Sequence, residues 1–312
     1  LRNAPECINL FKEFADVKMV EDLPYIAAAR PKAKRVAVAI EESAWNKRFK
    51  KDIRARVAAI KSSGRKDPPM INSKSKESKA HFAKTGEYLQ VADSPLLVAN
   101  DLKKASLAPF TVDDSLTGVE GYGKIWACAD KIYEEWKDSS DRHGAQLVFC
   151  DQSIPDRSSN DPNAYDALKS RLIELGIPES DIAFVQDAKT DKAQAALFEA
   201  VNEGRVRVLI GSTQKMGAGT NMQHKLVALH HLDCPWRPRD IEQREGRILR
   251  QGNENKEVRI YNYVTKGTYD ENLWDTVNTK KNVINQLMIG DKSTRNADTS
   301  DVDGDNFEAL IE

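Results

Sequence analysis

From Gln146 onward, short apolar runs trade places with amphipathic stretches, a rhythm that few architectures can accommodate. Strands are expected at Gln146 to Cys150, Ile182 to Val185, Arg205 to Ile210, Leu226 to Leu232 and Val258 to Val264. Helices are expected at Pro162 to Leu175, at Lys192 to Val201 and at Tyr269 to Met288, the last closed by Gly290 as a C-cap would close it. Strands separated by helices require right-handed crossovers. The expected fold is therefore α/β, a three-layer sandwich around a mostly parallel central sheet.

The N-terminal third reads differently. RVAVAI (Arg35 to Ile40) is a strand candidate, and Ser43 to Ser62 follows as an amphipathic helix with Ser43 as N-cap. Trp45, Phe49, Ile53, Val57 and Ile60 form its apolar stripe. The opposite face, with Lys47, Lys50, Lys51, Arg54 and Lys61, reads as a solvated helix surface. Gly64 to Lys79 is polar and basic and reads as a mobile loop, and a further helix is expected over Pro95 to Leu107. This gives an α-rich extension over residues 1–120, a lobe over residues 121–290 and an acidic, disordered tail over residues 291–312. In the tail, Asp301, Asp303, Asp305 and Glu312 have calcium-loop spacing, but Asn306 stands where that loop needs glycine.

With 312 residues, 40% of them hydrophobic, the chain can bury a substantial core. No apolar run approaches the ~20 residues that cross a bilayer, so no membrane partner is expected. Lys and Arg total 47 against 48 Asp and Glu, so nucleic acid cannot be gripped by bulk charge and must meet a local patch. Cys7, Cys128, Cys150 and Cys234 are scattered without a Cys-x-x-Cys pair, which argues against zinc or a disulfide framework and fits a reducing cytoplasm. His230 and His231 fall in an apolar strand and read as core residues; no metal site is expected. The start, in mid-pattern and without Met, reads as a piece of a longer polypeptide.

Two stretches carry the chemistry. QREGRILRQGN (Gln243 to Asn253) places Gln243, Arg247 and Arg250 at helical spacing, on one face. From Arg237 to Arg250 there are five arginines and no lysine, a choice that suits phosphate oxygens better than mere solubility. Upstream, GSTQKMGAGTNMQ (Gly211 to Gln223) follows the apolar run VRVLI and reads as a strand opening into a small-residue loop, the place where parallel sheets bind ligands. GVEGYGKI (Gly118 to Ile125) has the glycines and Lys124 of a phosphate loop. However, Ile125 replaces the metal-binding hydroxyl, and acidic Asp113 and Asp114 precede it, so it reads as the opening of a helix running to about Trp136.

In order and spacing these stretches resemble motifs V and VI of superfamily 2 helicases, in the Swi/Snf-like branch of double-stranded DNA translocases. LVFCD (Leu147 to Asp151) is similar to the motif IV strand, LVALHHLDCPWRP (Leu226 to Pro238) to the strand with its Asp, Trp and Pro pattern, and Val258 to Trp274 to the closing elements. More closely, the chain resembles the helicase part of phage and conjugative-element proteins that join an adenine-specific DNA methyltransferase to a translocase. The resemblance implies a second RecA-like lobe. It implies that Arg247 and Arg250 are the catalytic arginine fingers, that Gln243, Gly219 and Asn221 lie at the nucleotide, and that Ser212, Thr213, Gln214 and Lys215 contact the DNA backbone. ATP and Mg2+ would bind only together with a first lobe, and the expected partners are duplex DNA, that first lobe and a methyltransferase domain of the same polypeptide. Gln214, Lys215 and Leu249 depart from the remodellers' pattern. Two rival readings are a scaffold lobe that never takes part in hydrolysis and, from Asp233 to Trp236 (DCPW), an adenine methyltransferase fragment.

Overall fold

The structure is a computed structural model that describes residues 23–289 except 64–67, 74, 114, 157–160 and 217–220. The first part of the chain supplies α1 (Pro24–Ala28), β1 (Lys32–Ile40), α2 (Ala44–Ser63), β2 (Met70–Asn72), α3 (Lys76–Thr85), β3 (Gln90–Ala92) and α4 (Pro95–Leu107). Then come α5 (Gly118–Asp138), β4 (Ala145–Phe149), α6 (Ala164–Glu174), β5 (Ile182–Phe184), α7 (Asp191–Asn202), β6 (Val208–Gly211) and α8 (Thr213–Met216). The last elements are β7 (Leu226–His231), α9 (Pro238–Ile248), β8 (Glu257–Thr265) and α10 (Tyr269–Ile289). The acidic tail and the expected cap at Gly290 lie outside the described residues.

Six strands form one parallel sheet in the order β1-β8-β7-β4-β6-β5. Because side chains alternate across a strand, Val148, Ile210, Ala228 and Tyr263 fall on one face with Ile125 and Ile132 of α5 and Leu168 and Leu172 of α6. Leu147, Phe149, Leu209, Leu229 and Ile260 fall on the other, with Phe198 and Val201 of α7 and Ile248 of α9. The α/β sandwich read from the sequence is the fold observed. Gly211 lets the chain turn tightly at the end of β6, since a Cβ there would lie 2.9 Å from Met216 Cγ and 3.0 Å from Val185 Cγ2.

Two regions depart from the sequence reading. The RVAVAI strand does not lead into the sheet but belongs to it: β1 is an edge strand, in register with β8 from Lys32 opposite Glu257 to Ile40 opposite Thr265. Such a pairing, across more than two hundred residues, leaves no local mark in the pattern. The stretch read as a polar loop contains β2, paired antiparallel with β3, and the start of α3. Ser75 caps that helix by accepting from Ser78 N at 3.1 Å, and Gly86, at φ 78°, ends it. Local capping chemistry outweighed a polar composition.

A third core joins the extension to the lobe. Ile53 of α2 and Val98 and Leu102 of α4 pack with Ile241 of α9 and Leu273, Trp274 and Val277 of α10. As expected, Ser43 Oγ accepts from Asn46 N at 3.1 Å to start α2. Arg56 then ties α2 to Asp93 at 2.8 Å and to Asp101 of α4 at 2.9 Å. Lys124, the lysine of the false phosphate loop, is buried inside α5 and bonds Asp270 at 2.5 Å. Burial raises the Asp270 acid despite that lysine, and Thr265 N also donates to it at 3.1 Å.

Candidate functional site at the strand ends

All six strands point the same way, so their carboxyl ends share one rim, the usual ligand edge of an open parallel sheet. On the adjacent strands β6, β4 and β7 the residues just past those ends are Thr213, Asp151 and Asp233. One side chain joins them. Arg244 of α9 is 0% exposed; its Nε donates to Thr213 Oγ1 at 2.7 Å and its Nη2 to Asp151 Oδ2 at 2.8 Å and to Asp233 Oδ1 at 3.0 Å. Nη1 donates to the Asp233 carbonyl at 2.9 Å, and the guanidinium lies over the Phe149 ring.

Desolvating a guanidinium is costly unless every donor finds an acceptor, and the surrounding groups are arranged to do that. Asp233 Oδ2 accepts the backbone N–H of Asp151 at 2.6 Å and of Gln152 at 2.8 Å. Asp151 Oδ1 accepts from Thr213 N at 2.6 Å, and Asp151 Oδ2 from the Thr213 hydroxyl at 2.8 Å. Burial alone would raise the Asp151 acid, but the Arg244 charge and the Thr213 hydrogen bonds outweigh it and hold the carboxyl below the usual range. For Arg244, burial opposes the charge and the two aspartates overcome it, so its pKa rises.

Histidine chemistry completes the interior. Arginine can only donate, so His231 Nδ1, 3.4 Å from Arg244 Nη1, is the acceptor, and the proton sits on Nε2, which faces Glu245 Oε1 at 3.9 Å. Glu245 in turn bonds Arg35 of β1 at 2.7 Å. On the other face, His230 Nε2 donates to Gln146 Oε1 at 2.9 Å and Nδ1 accepts from the Tyr263 hydroxyl at 2.8 Å. Burial lowers the His230 pKa to about 3, so it is neutral. Both histidines are core residues, and among the described residues no three His, Cys, Asp or Glu side chains converge as a metal site.

The residues singled out from the sequence divide into two groups. Ser212 and Thr213 are buried, and the Thr213 hydroxyl serves the Arg244 network; Gln214 and Lys215, in α8, are exposed. Asn221 is exposed, and its carbonyl accepts from Asn202 Nδ2 at 2.8 Å. Gly219 lies outside the described residues. Gln243 is exposed, and Arg247 and Arg250 are partly exposed. Helix α9 ends at Ile248, so Arg250 is not on it, contrary to the helical spacing expected through that position. Asn253 Nδ2 donates to the Ile248 carbonyl at 3.2 Å and to the Leu226 carbonyl at 3.0 Å, closing the helix and turning the chain toward β8. Arg247 and Arg250 are nonetheless neighbours: burial lowers the Arg247 pKa, and the Arg250 charge lowers it further.

Arg244, Asp151 and Asp233 were not assigned from the sequence. A signal existed: Ile241 and Ile248 stand seven apart, and Arg244 and Glu245 occupy the same stripe between them, the buried face of α9.

Comparison with known proteins agrees with this geometry. Residues 131–252 match the sequence model of the helicase conserved C-terminal domain. The chain is 37% identical over 101 residues to the defense against restriction protein B of Escherichia phage P1, across 32% of this chain and 4% of that protein. It is 38% identical over 88 residues to the uncharacterized ATP-dependent helicase YqhH of Bacillus subtilis (strain 168), across 27% of this chain and 15% of that protein. The matched segments thus span a small part of either relative. In fold, the chain is similar to the crystal structure of the C-terminal part of the Fun30 ATPase domain, with TM-score 0.51 and 15% identity, over 80% of this chain and 90% of that one. Residues 131–252 are thus similar to the helicase conserved C-terminal domain, and they lie within a RecA-like α/β fold whose parallel sheet has β1 at its edge.

Proposed function

We propose that the chain is the second lobe of an ATP-dependent DNA translocase, and that it lends Arg247 and Arg250 to a nucleotide site completed by a first lobe. The observation that carries this reading is the Arg244 network, which fixes the ends of β4, β6 and β7 to α9. A helix held so rigidly can present Arg247, with Arg250 just past its end, to a phosphate whose charge grows during transfer, which is how preorganised cations accelerate such reactions. Here the donor type fits the group: two guanidinium forks close together in sequence, both reaching the surface, suit phosphate oxygens. Gln243 and Asn221, both exposed, and Gly219 are assigned to the nucleotide, and the exposed Gln214 and Lys215 to the DNA backbone, with buried Ser212 and Thr213 holding that turn in place. Mg2+ would come with the nucleotide and be held by carboxylates of the first lobe.

Asp233 speaks against the methyltransferase reading. Its carboxylate is buried and takes two backbone N–H groups on one oxygen and Arg244 on the other, a structural tie between strand ends rather than a group presented to a base. A DNA methyltransferase domain elsewhere in the parent remains part of the proposal, as do duplex DNA and the first lobe as partners. The test is Arg250→Ala in the parent protein. DNA-stimulated ATP hydrolysis should fall by about 1,000-fold or more while DNA binding stays nearly unchanged; unaltered hydrolysis would favour a scaffold lobe instead. The isolated chain should turn over no ATP.

A further inference from the structure

Beyond the Arg244 network, the same carboxyl rim continues to the ends of β8 and β1. There Ile40 and Thr265, the last residues of β1 and β8, line a cavity of about 310 Å³ whose other walls come from the start of α2, the end of α4 and the start of α5. Its lining includes none of the residues assigned above to the nucleotide or to DNA. Strand ends of this kind are where open parallel sheets take ligands.

The polar groups of this cavity are one-sided. Asn46 of α2 is 6% exposed, and although its backbone N–H donates to Ser43 Oγ, its carboxamide has no hydrogen-bond partner among the described residues. A carboxamide so covered costs free energy until a partner reaches it. Glu120 of α5 accepts from Trp45 N at 2.9 Å through Oε1, and its Oε2 has no donor among the described residues. Ala105 of α4 lacks its helical donor for a covalent reason: four residues on stands Pro109, which has no N–H to give to the Ala105 carbonyl.

Charge points the same way. Lys124 is matched by Asp270, and Glu41 by Lys266 at 2.6 Å, so Glu120 is the lining carboxylate without a cation among the described residues. Three acceptors and one uncompensated negative charge suit a cation that only donates, and a primary ammonium brings three N–H groups. A guanidinium, with five, would leave two without acceptors. Apolar Ile40, Pro109 and Val119 supply walls for an alkyl stem. A phosphate would be repelled by Glu120, which sets this cavity apart from Arg247 and Arg250.

We infer that the cavity binds a primary alkylammonium group, held by Glu120, Asn46 and the Ala105 carbonyl. Both a free aliphatic amine and the lysine side chain of another protein carry that group, and the experiment separates them. The inference is independent of the translocase reading.

The experiment titrates the isotope-labelled 312-residue chain by NMR with n-butylammonium, with Nα-acetyl-lysine methylamide, and with n-butanol, which lacks the charge, and tetramethylammonium, which lacks the N–H groups. n-Butylammonium should bind with Kd on the order of 1 mM, modest for a ligand this small, and shift the amide resonances of Asn46, Gly123 and Thr265. Glu120→Gln, which keeps an acceptor for Trp45 N, should weaken it about 10- to 100-fold, the range of a hydrogen bond to a charged group. Asn46→Asp should tighten it, and Asn46→Leu should abolish it by filling the cavity. Thermal melts of each free variant matching the parent chain exclude a folding defect. A lysine derivative that binds as tightly as n-butylammonium assigns the site to a protein lysine; one that does not bind assigns it to a free amine. Equal binding of n-butanol or tetramethylammonium, unchanged affinity in Glu120→Gln, or no shift in the parent chain overturns the inference.

Discussion

Arg244 and Arg247 stand three residues apart on one helix and live in opposite environments. Arg244 is wholly buried, and all three of its nitrogens donate to groups at the strand ends; Arg247 is partly exposed beside the like charge of Arg250. Both are arginine for the same reason, a planar fork of fixed charge, but one satisfies aspartates of its own chain and the other faces outward. The helix thereby separates a buried, structural arginine from one that reaches the surface. Its inner stripe, Ile241, Arg244, Glu245 and Ile248, decides where α9 sits, which relieves its outer residues of that task.

The sharpest way to break that contrast is to truncate each arginine in turn. Arg244→Ala strands two carboxylates and the Thr213 hydroxyl without their donor, so it should cost about 3–5 kcal/mol, as removal of one partner from a buried ion pair does. Arg250→Ala should change stability by less than about 0.5 kcal/mol, as surface substitutions usually do. Urea unfolding of the two variants measures both. Equal stability would mean that the buried network contributes nothing and that α9 is held by its isoleucines alone.

Much of this is legible in the sequence, and the boundary is physical. Continuous apolar runs such as VRVLI and LVALHH and capping serines such as Ser43 are local signals, and the strands and helices they announce lie within a few residues of their expected places. Pairing of β1 with β8 is a non-local event and is not readable there. In the site, the cationic character of Gln243 to Arg250 can be read from residue type, but which arginine is buried and which reaches the surface cannot, because that depends on how the helix packs and where it stops. The stop is set by Asn253 reaching back to the Ile248 carbonyl, a contact that follows from the turn rather than from spacing. Thr213 illustrates the same limit: a hydroxyl in a loop looks available to a ligand, yet here it bridges Asp151 and Arg244.

That bridge gives a second, smaller test. Thr213→Val keeps the shape but leaves Arg244 Nε buried without an acceptor, which should cost about 1–3 kcal/mol. Thr213→Ser, which keeps the hydroxyl, should recover most of the loss. If both variants are equally stable, the hydroxyl does not matter to the interior and is available to a ligand after all.

Acid probes the histidines behind the rim. Burial holds His230 neutral down to about pH 3, whereas in the unfolded chain it takes up a proton near 6.5. The unfolded state therefore binds more protons between those values, so the stability His230 contributes is complete above about 6.5 and declines as pH falls toward 3. Each such histidine should remove about 1.4 kcal/mol per pH unit within that window. His231, also lowered by burial and by Arg244, adds a second share. His230→Gln should roughly halve the slope measured by denaturant titration from pH 6.5 to 5; an unaltered slope would assign the acid sensitivity elsewhere.

The smallest expected effect concerns the seam between the edge strand and α9. Arg35 of β1 reaches Glu245 at 2.7 Å, with its own side chain 50% exposed and that of Glu245 9% exposed. Solvent screens an ion pair of this kind, so Arg35→Ala should cost no more than about 1 kcal/mol. Nine residues of register with β8 and the packing of Val36, Val38 and Ile40 already hold β1. What the arginine can do is orient Glu245, the carboxylate facing His231 Nε2 at 3.9 Å. Loss of Arg35 should then leave the unfolding midpoint nearly fixed while shifting the His231 imidazole resonances in NMR. A large loss of stability with unmoved imidazole signals would instead make Arg35 a structural clamp, and the edge strand part of the mounting of α9.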